Sequence, residues 1–520
     1  MNQTAKGFFL VLTFILGITI TMQVPVGAKT AYKTTKTQEV ARIKTTSAKI
    51  YSNPTKLKSF KLAAKTRMSK TYEANSKTKI GKTTYYQLSQ GKTKVGWLAT
   101  KDITRHKRIL QSTKKTTAYI AGTHNSYNMP WGTTKNKVSS LSSSRAKEFK
   151  AIRIEKIGST LWYKGTLNNK TVWISQSALK TNPYTALNLR KPSNVTAKEM
   201  QNFLISKGKL PNNVLYKLAP TFVTLQKEAG INAQFMLAHA ILETGWGSST
   251  ISQYKNNYFG YQAYDTCALT CAKYFPSGKA GLSAYAYKIY RDYLTSSGAY
   301  YNGPTLIGMN VRYATDPEWS DKIANLMAQM KSYSSSYYSK KTASKVVFKE
   351  PKEYNNVIPE GKPQPDQFLT MPDAIKAKVD VAEGAQIYSL PYVYSAQYGT
   401  YKKGKAITLK AYHTDVRDFT NTKGKMVRWY RIDYSGKQGW LRSDQIAVAN
   451  LGFTNNRTAL QNDKYTQVAS VNKNALIKLV KKDNKYVTKT DKKKVKWYQI
   501  YKPGSTKKLW IKSSNLQMFN

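Results

Sequence analysis

Two cysteines and four histidines in 520 residues leave little for metal or disulfide chemistry to use. Cys267 and Cys271 stand four apart, which excludes a disulfide framework and a four-ligand zinc site. One local disulfide or a pair of packed thiols stays open. His106, His124, His239 and His413 follow no ligand spacing, so neither a metal nor another cofactor is expected. Acidic residues are scarce as well: 27 Asp and Glu stand against 84 Lys and Arg, for a net charge of +57. Past the N-terminal region, no apolar run approaches the length a helix needs to cross ~30 Å of hydrocarbon.

Near the N-terminus a short apolar run does occur. Lys6 precedes Gly7 to Met22, interrupted only by threonines, and Val26-Gly27-Ala28 offers the small residues that a signal peptidase reads. Residues 1–28 are therefore expected to be a signal peptide cleaved after Ala28, with a retained signal anchor as the alternative. The mature chain is then secreted, keeps no integral membrane segment, and is long enough for three or more domains. Its charge is unevenly placed. Residues 191–331 hold 14 basic and 8 acidic residues, a net of +6, so the flanks carry +51. A field of that size favours adsorption to a polyanion. Nucleic acid is one candidate, but export directs the expectation to anionic wall polymers such as teichoic or lipoteichoic acid.

The flanks repeat themselves. Tyr85-Tyr86-Gln87-Leu88 leads to Trp97-Leu98 and Ile103, and Trp162-Tyr163 leads to Trp173-Ile174 and Leu179. Trp429-Tyr430-Arg431-Ile432 leads to Trp440-Leu441 and Ile446, and Trp497-Tyr498-Gln499-Ile500 leads to Trp510-Ile511 and Leu516. Four copies of one unit are implied. Alternation of apolar and polar residues between Gly, Asn and Lys turns predicts short antiparallel strands in a small barrel or sandwich, each copy able to fold alone. These segments resemble the GW-type modules of Gram-positive surface proteins, which are similar to Src-homology-3-like barrels. Gly96-Trp97 and Gly439-Trp440 keep the signature dipeptide, whereas Val172 and Leu509 replace its glycine. The resemblance implies non-covalent attachment to the wall. Modules are expected at 38–104, 112–181, 373–448 and 449–520, with the four repeat tryptophans in their cores and binding left to lysine-rich faces and exposed tyrosines.

Between the modules the apolar period changes from two to nearly four. Pro, Asn and Ser dipeptides mark Thr181 to Thr196 and Ser332 to Pro372 as linkers unable to pack a core. Thr196-Ala197-Lys198-Glu199 has capping-box spacing, Asn232 precedes an apolar segment from Ala233 to Glu243 that Gly245 stops, and Pro317 to Met330 forms a last amphipathic helix behind an Asp316 cap. Residues 196–333 are expected to be an all-helical domain, followed by a linker at 334–372. Glu243 is the only carboxyl of the apolar helix. The negative end of the helix and apolar walls favour its protonated form, as a glycosidase general acid requires, and Thr244-Gly245-Trp246-Gly247 beside it lets a polymer approach.

The middle of the chain resembles glycoside hydrolase family 73, the bacterial β-N-acetylglucosaminidases. The matching motifs are Leu237-Ala238-His239-Ala240-Ile241-Leu242-Glu243-Thr244-Gly245-Trp246-Gly247, then Asn256-Asn257-Tyr258-Phe259-Gly260, then Tyr313-Ala314-Thr315-Asp316-Pro317. The resemblance implies a mainly-α, goose-type lysozyme-like domain with a β-hairpin lobe, in a multidomain chain flanked by small all-β barrels. It also implies hydrolysis of the GlcNAc-β-1,4-MurNAc bond of peptidoglycan, with Glu243 as the acid and Tyr313 as the active-site tyrosine. Asp265, where the family has its hairpin, is the candidate for positioning water, the alternative being the substrate's own N-acetyl oxygen. Trp246, Asn257, Tyr258, Phe259 and Tyr261 are the expected sugar contacts, about half of the aromatic ones falling in the core. His239 reads as a satisfied core histidine. A secreted, monomeric, wall-associated enzyme follows, acting in daughter-cell separation or autolysis. A muramidase on the same fold and an inactive adhesin are the alternatives.

Overall fold

The computed structural model describes residues 32–518, save 59, 360, 361, 364, 366, 367, 414, 415, 417, 418, 423, 425 and 474. The expected signal peptide lies outside the described residues. The chain divides into two compact units. Residues 32–117, 123–141 and 149–179 make the first.

The first unit is built of antiparallel strands. Thr35–Ile43, Tyr72–Ile80, Thr83–Gln90 and Thr93–Ala99 pair in succession, and Glu148–Ile157, Thr160–Leu167 and Lys170–Ser175 do the same in the second copy. Ile103–Ser112 pairs with Thr35–Ile43 on one edge and with Glu148–Ile157 on the other. Residues 105–111, expected to separate two independent modules, are therefore a strand common to both. Across it the Arg108 guanidinium bonds Glu155 at 2.8 and 3.1 Å. Burial alone would favour the neutral Glu155 acid, but hydrogen bonds from Arg108 and Arg153 outweigh it and hold the carboxyl below its ordinary range.

The repeat is visible in the register. Each repeat tryptophan faces one strand of its hairpin at Gln87, Lys164, Arg431 or Gln499, and on its other side Tyr51, Tyr127, Tyr388 or Gln461. A 3-10 turn follows, at Thr100–Asp102, Gln176–Ala178, Ser443–Gln445 and Ser513–Asn515. The next aliphatic residue, Ile103, Leu179, Ile446 or Leu516, is buried behind that turn, as are all four tryptophans.

The second unit holds 118–122, 142–148 and everything from Lys180 onward. The longer helices of its helical part are α1 (Ala197–Ser206), α2 (Val214–Ala229), α3 (Ala233–Thr244), α4 (Thr250–Lys255), α5 (Gly278–Ile289), α6 (Leu306–Tyr313) and α7 (Trp319–Met330), with single turns at Ala268–Cys271 and Ser335–Ser339. Thr196 and Glu199 form the expected capping box of α1. Asn232 accepts from the Phe235 amide to start α3, and Gly245 ends it in a left-handed conformation. Ten of the twelve α3 residues are buried, so this helix is the spine of the domain. Each of its larger apolar side chains contributes about 1.5–3 kcal/mol by leaving water. The α7 cap differs from expectation: Glu318 occupies the N-cap position, and Asp316 accepts from the Glu318 amide at 2.9 Å in the turn before it.

Two further expectations fail. The domain has no β-hairpin lobe, because no strand forms among residues 197–330, all of them described. Asn257 to Lys273 is held by other means. The Asn257 amide donates to the Tyr261 and Lys273 carbonyls at 3.0 and 3.1 Å and accepts from the Tyr261 amide at 3.0 Å, and Cys267 and Cys271 are joined as a disulfide. One side chain that satisfies three backbone groups removes the need for a ladder. Nor are the compositional linkers inert. Tyr184, Leu187, Leu189 and Val195 on one side and Tyr338 on the other are buried in the helical core. Single apolar anchors amid Pro, Ser and Asn suffice here, with no period to betray them.

Toward the C-terminus, Phe368–Val379, Ala406–His413, Trp429–Tyr434 and Lys437–Arg442 carry the third repeat and Lys496–Tyr501 with Lys508–Lys512 the hairpin of the fourth. Leu451 and Phe453, from the start of the fourth copy, pack into the core of the third.

Candidate active site

The helix α3 delivers Glu243 to its open end. The side chain is 29 % exposed, whereas His239, one turn earlier, is wholly buried. His239 Nε2 lies 3.1 Å from Glu243 Oε1, and its Nδ1 lies 2.7 Å from the Tyr285 hydroxyl on α5. Five aromatic rings enclose the imidazole: Phe235, Phe259, Tyr285, Tyr313 and Trp319, with centroids 4.7–5.5 Å away. Burial pushes the imidazole pKa down, against the opposing hydrogen bond and charge of Glu243, so the ring is neutral. A neutral imidazole has one N–H. With the Tyr285 hydroxyl donating to Nδ1, that proton resides on Nε2 and donates to Glu243 Oε1.

Tyr313 closes the other side of Glu243. It ends α6, stacks on Trp319 at 4.8 Å, and is linked to Glu243 by charge and a side-chain hydrogen bond. Burial first, and then the adjacent Glu243 charge, raise its hydroxyl well above an ordinary phenol. Tyr313 is therefore a hydrogen-bond donor at every working pH. Tyr313 thus puts a neutral hydroxyl at the carboxyl itself, and Tyr285 puts another on the far nitrogen of its histidine partner.

The Gly-Trp-Gly turn is wound tightly. Gly245, Trp246 and Gly247 all have positive φ, +65° at the tryptophan, a conformation that costs a non-glycine residue energy. Compensation comes from the Trp246 amide bonded to the Ile241 carbonyl at 2.9 Å, the Asn213 side chain donating to the Trp246 carbonyl at 2.9 Å, and Phe203 against the indole at 5.9 Å. The half-buried indole packs against the helical core, three residues after Glu243 in the chain.

Of the other expected sugar contacts, Phe259 and Tyr261 keep partial exposure. Phe259 stacks on Tyr285 with centroids 3.4 Å apart, and the Tyr261 hydroxyl donates to the Ala284 carbonyl at 3.0 Å. Asn257 and Tyr258 do not fit the expectation. Both are 2 % exposed, Asn257 as the clamp of its loop and Tyr258 as core, so neither meets a polymer. Gly281 on α5 explains how the loop comes so close, since a Cβ there would overlap the Asn256 carbonyl. Asp265 is exposed, and among the described residues no hydrogen bond or ion pair joins it to Glu243. Sequence reasoning missed Tyr285 and Trp319, which complete the enclosure of His239. A cavity of about 400 Å³ opens beside Tyr261, Lys288 and Arg291 under residues 350–354, away from Glu243. No group of three or more potential metal ligands occurs among the described residues.

Comparison with known proteins adds to this geometry. Residues 219–332 match the family model Glucosaminidase, described as mannosyl-glycoprotein endo-beta-N-acetylglucosaminidase. Residues 32–104 and 110–180 match the GW (Gly-Tryp) dipeptide domain. A Streptococcus pneumoniae protein named "Putative endo-beta-N-acetylglucosaminidase" is 36 % identical over 149 residues, 29 % of this chain and 22 % of that protein. A bifunctional autolysin of Staphylococcus epidermidis is 29 % identical over 174 residues, 32 % of this chain and 12 % of that one. The chain thus spans about a fifth, or less, of the length of these curated relatives. Among solved structures, an autolysin E of S. aureus in complex with the disaccharide NAG-NAM is 20 % identical, with a TM-score of 0.24, and covers 32 % of this chain and 78 % of its own.

Proposed function

We propose that this chain, whose central domain is a glucosaminidase and whose N-terminal modules are GW dipeptide domains, hydrolyses the β-1,4 bond between N-acetylglucosamine and N-acetylmuramic acid in peptidoglycan. The observation that carries this reading is the lone Glu243 carboxyl at the open end of a buried helix, held on one side by His239 and on the other by Tyr313.

In the reaction Glu243 gives its proton to the glycosidic oxygen as the bond to the sugar breaks. Its Oε1 is occupied by His239, which leaves Oε2 to carry that proton. Tyr313 stabilises the carboxylate that remains. Water then completes hydrolysis. For the second catalytic group, activation of water by Asp265 and the N-acetyl oxygen of the substrate are the two candidates. The repeats, read as Src-homology-3-like barrels, hold a secreted enzyme on teichoic or lipoteichoic acid by charge, and daughter-cell separation or autolysis is the role this suits.

Digestion of purified peptidoglycan by the wild type and by Glu243→Gln, with borohydride reduction and mass analysis, tests the assignment. Reduced N-acetylglucosamine ends that vanish in the variant are expected. Reduced muramic acid ends would make the enzyme a muramidase, and no cleavage by the wild type would leave a binding protein.

A further inference from the structure

Residues 344–356 lie along the helical domain. Arg190 donates to the Ser344 and Val346 carbonyls at 2.8 and 2.9 Å, Lys255 to the Asn356 carbonyl at 2.9 Å, and the Tyr274 amide to the Asn355 carbonyl at 2.9 Å. Beyond this strap the third module meets the disulfide turn. Leu390, 8 % exposed, packs in one apolar cluster with Cys267 and Cys271, flanked by Tyr392 and Val416. Tyr392 stacks on Tyr264 with centroids 4.6 Å apart and planes 19° from parallel, and Tyr394 stands edge-on to Tyr392 at 5.5 Å.

The docking contact needs Leu390 and Tyr392 but not Tyr394, which is 84 % exposed. The turn is stiff: the Ser395 amide bonds the Tyr392 carbonyl at 2.9 Å and the Ser395 hydroxyl the Leu390 carbonyl at 3.1 Å. No charged residue occurs from Gly384 to Tyr401, in a chain of which 21 % of residues are charged. A surface built for a polyanion would not be drained of lysine. Uncharged rings on a rigid turn suit the flat C–H faces of pyranose rings, with the phenol hydroxyls free to bond sugar hydroxyls. Tyr264 is five residues from Phe259, whose ring contacts His239. Five residues reach at most ~18 Å, so the aromatic series begins within a short glycan's reach of the catalytic centre.

We propose that Tyr264, Tyr392 and Tyr394 form a stacking platform for a glycan strand, so that the third module extends the substrate site of the helical domain. The proposal rests on the glucosaminidase reading. Its test uses the full chain with two substrates: long glycan strands stripped of stem peptides, and a short soluble oligosaccharide of the same repeat. Tyr394→Ala is expected to raise KM for long strands about five-fold, with kcat and both constants on the short substrate unchanged, and Tyr394→Trp to restore KM. Unaltered KM on long strands in both Tyr394→Ala and Tyr392→Ala/Tyr394→Ala would overturn the platform, and so would weakened binding of teichoic acid or of a protein in place of the glycan. If the wild type cleaves neither substrate, the catalytic reading fails by itself. Binding of long strands by Glu243→Gln, and its loss in Glu243→Gln/Tyr394→Ala, would still uphold the platform.

Discussion

His239 Nε2 stands 3.1 Å from Glu243 Oε1, and both atoms belong to one helix, one turn apart. The spacing sets which carboxyl oxygen is free. With the Tyr285 hydroxyl fixing the far nitrogen, the imidazole offers a donor to Oε1 throughout the reaction.

Removing that donor is expected to lower kcat by about ten- to a hundred-fold in His239→Leu, the range for losing a hydrogen bond to a charged group. His239→Gln, which keeps an N–H, should retain more activity, and Tyr285→Phe should lose less than His239→Leu. Steady-state kinetics with KM unchanged would mark a positioning role. A fall in Tm with normal kcat in the surviving folded protein would contradict it.

The same buried imidazole makes stability depend on pH. Its folded pKa is lowered by burial, so between that value and the unfolded value of ~6.5 the unfolded chain binds more protons. Its contribution is therefore present in full above about pH 6.5 and is lost as pH falls below it. Thermal melts from pH 7.5 to 5 should show a steeper decline for the wild type than for His239→Gln; parallel curves would exclude this origin.

Reducing the Cys267–Cys271 bond opens a short loop, a loss of about 2 kcal/mol by chain entropy. Because Leu390 shares one apolar cluster with Cys267 and Cys271, the expected consequence extends to the third module. Hydrogen exchange at residues 390–395 should accelerate in dithiothreitol, and unchanged protection there would show the clasp to be independent of the bond.

Attachment by charge should yield to salt. Screening at about 1 M shortens electrostatic reach to ~3 Å, so the protein should elute from cell walls in molar sodium chloride. Retention there would point to uncharged contacts instead.

Local signals carried much of this molecule into view. Asn232 and Gly245 bracket α3 because caps act within one turn, and Glu243 stood out because a single carboxyl in an apolar helix has few explanations. The repeat tryptophans were legible for the same reason, as a pattern recurring at fixed spacing. Tyr285 was not, since it meets His239 from 46 residues away on another helix. The segment from Asn257 to Lys273 misled, because its order comes from side-chain clamps, one disulfide and a single helical turn at Ala268–Cys271, too short to leave a periodicity. Tyr338 and Leu189 were hidden by their polar neighbours, although each fills the helical core.

The strand Ile103–Ser112 makes the first two repeats inseparable as parts. Cutting the chain between them would strip one partner from a ladder and present a bare row of amides and carbonyls, the template on which sheets from different molecules join. Duplication of the module has therefore produced a fused pair, and any truncation meant to count how many repeats the wall requires must remove the pair together.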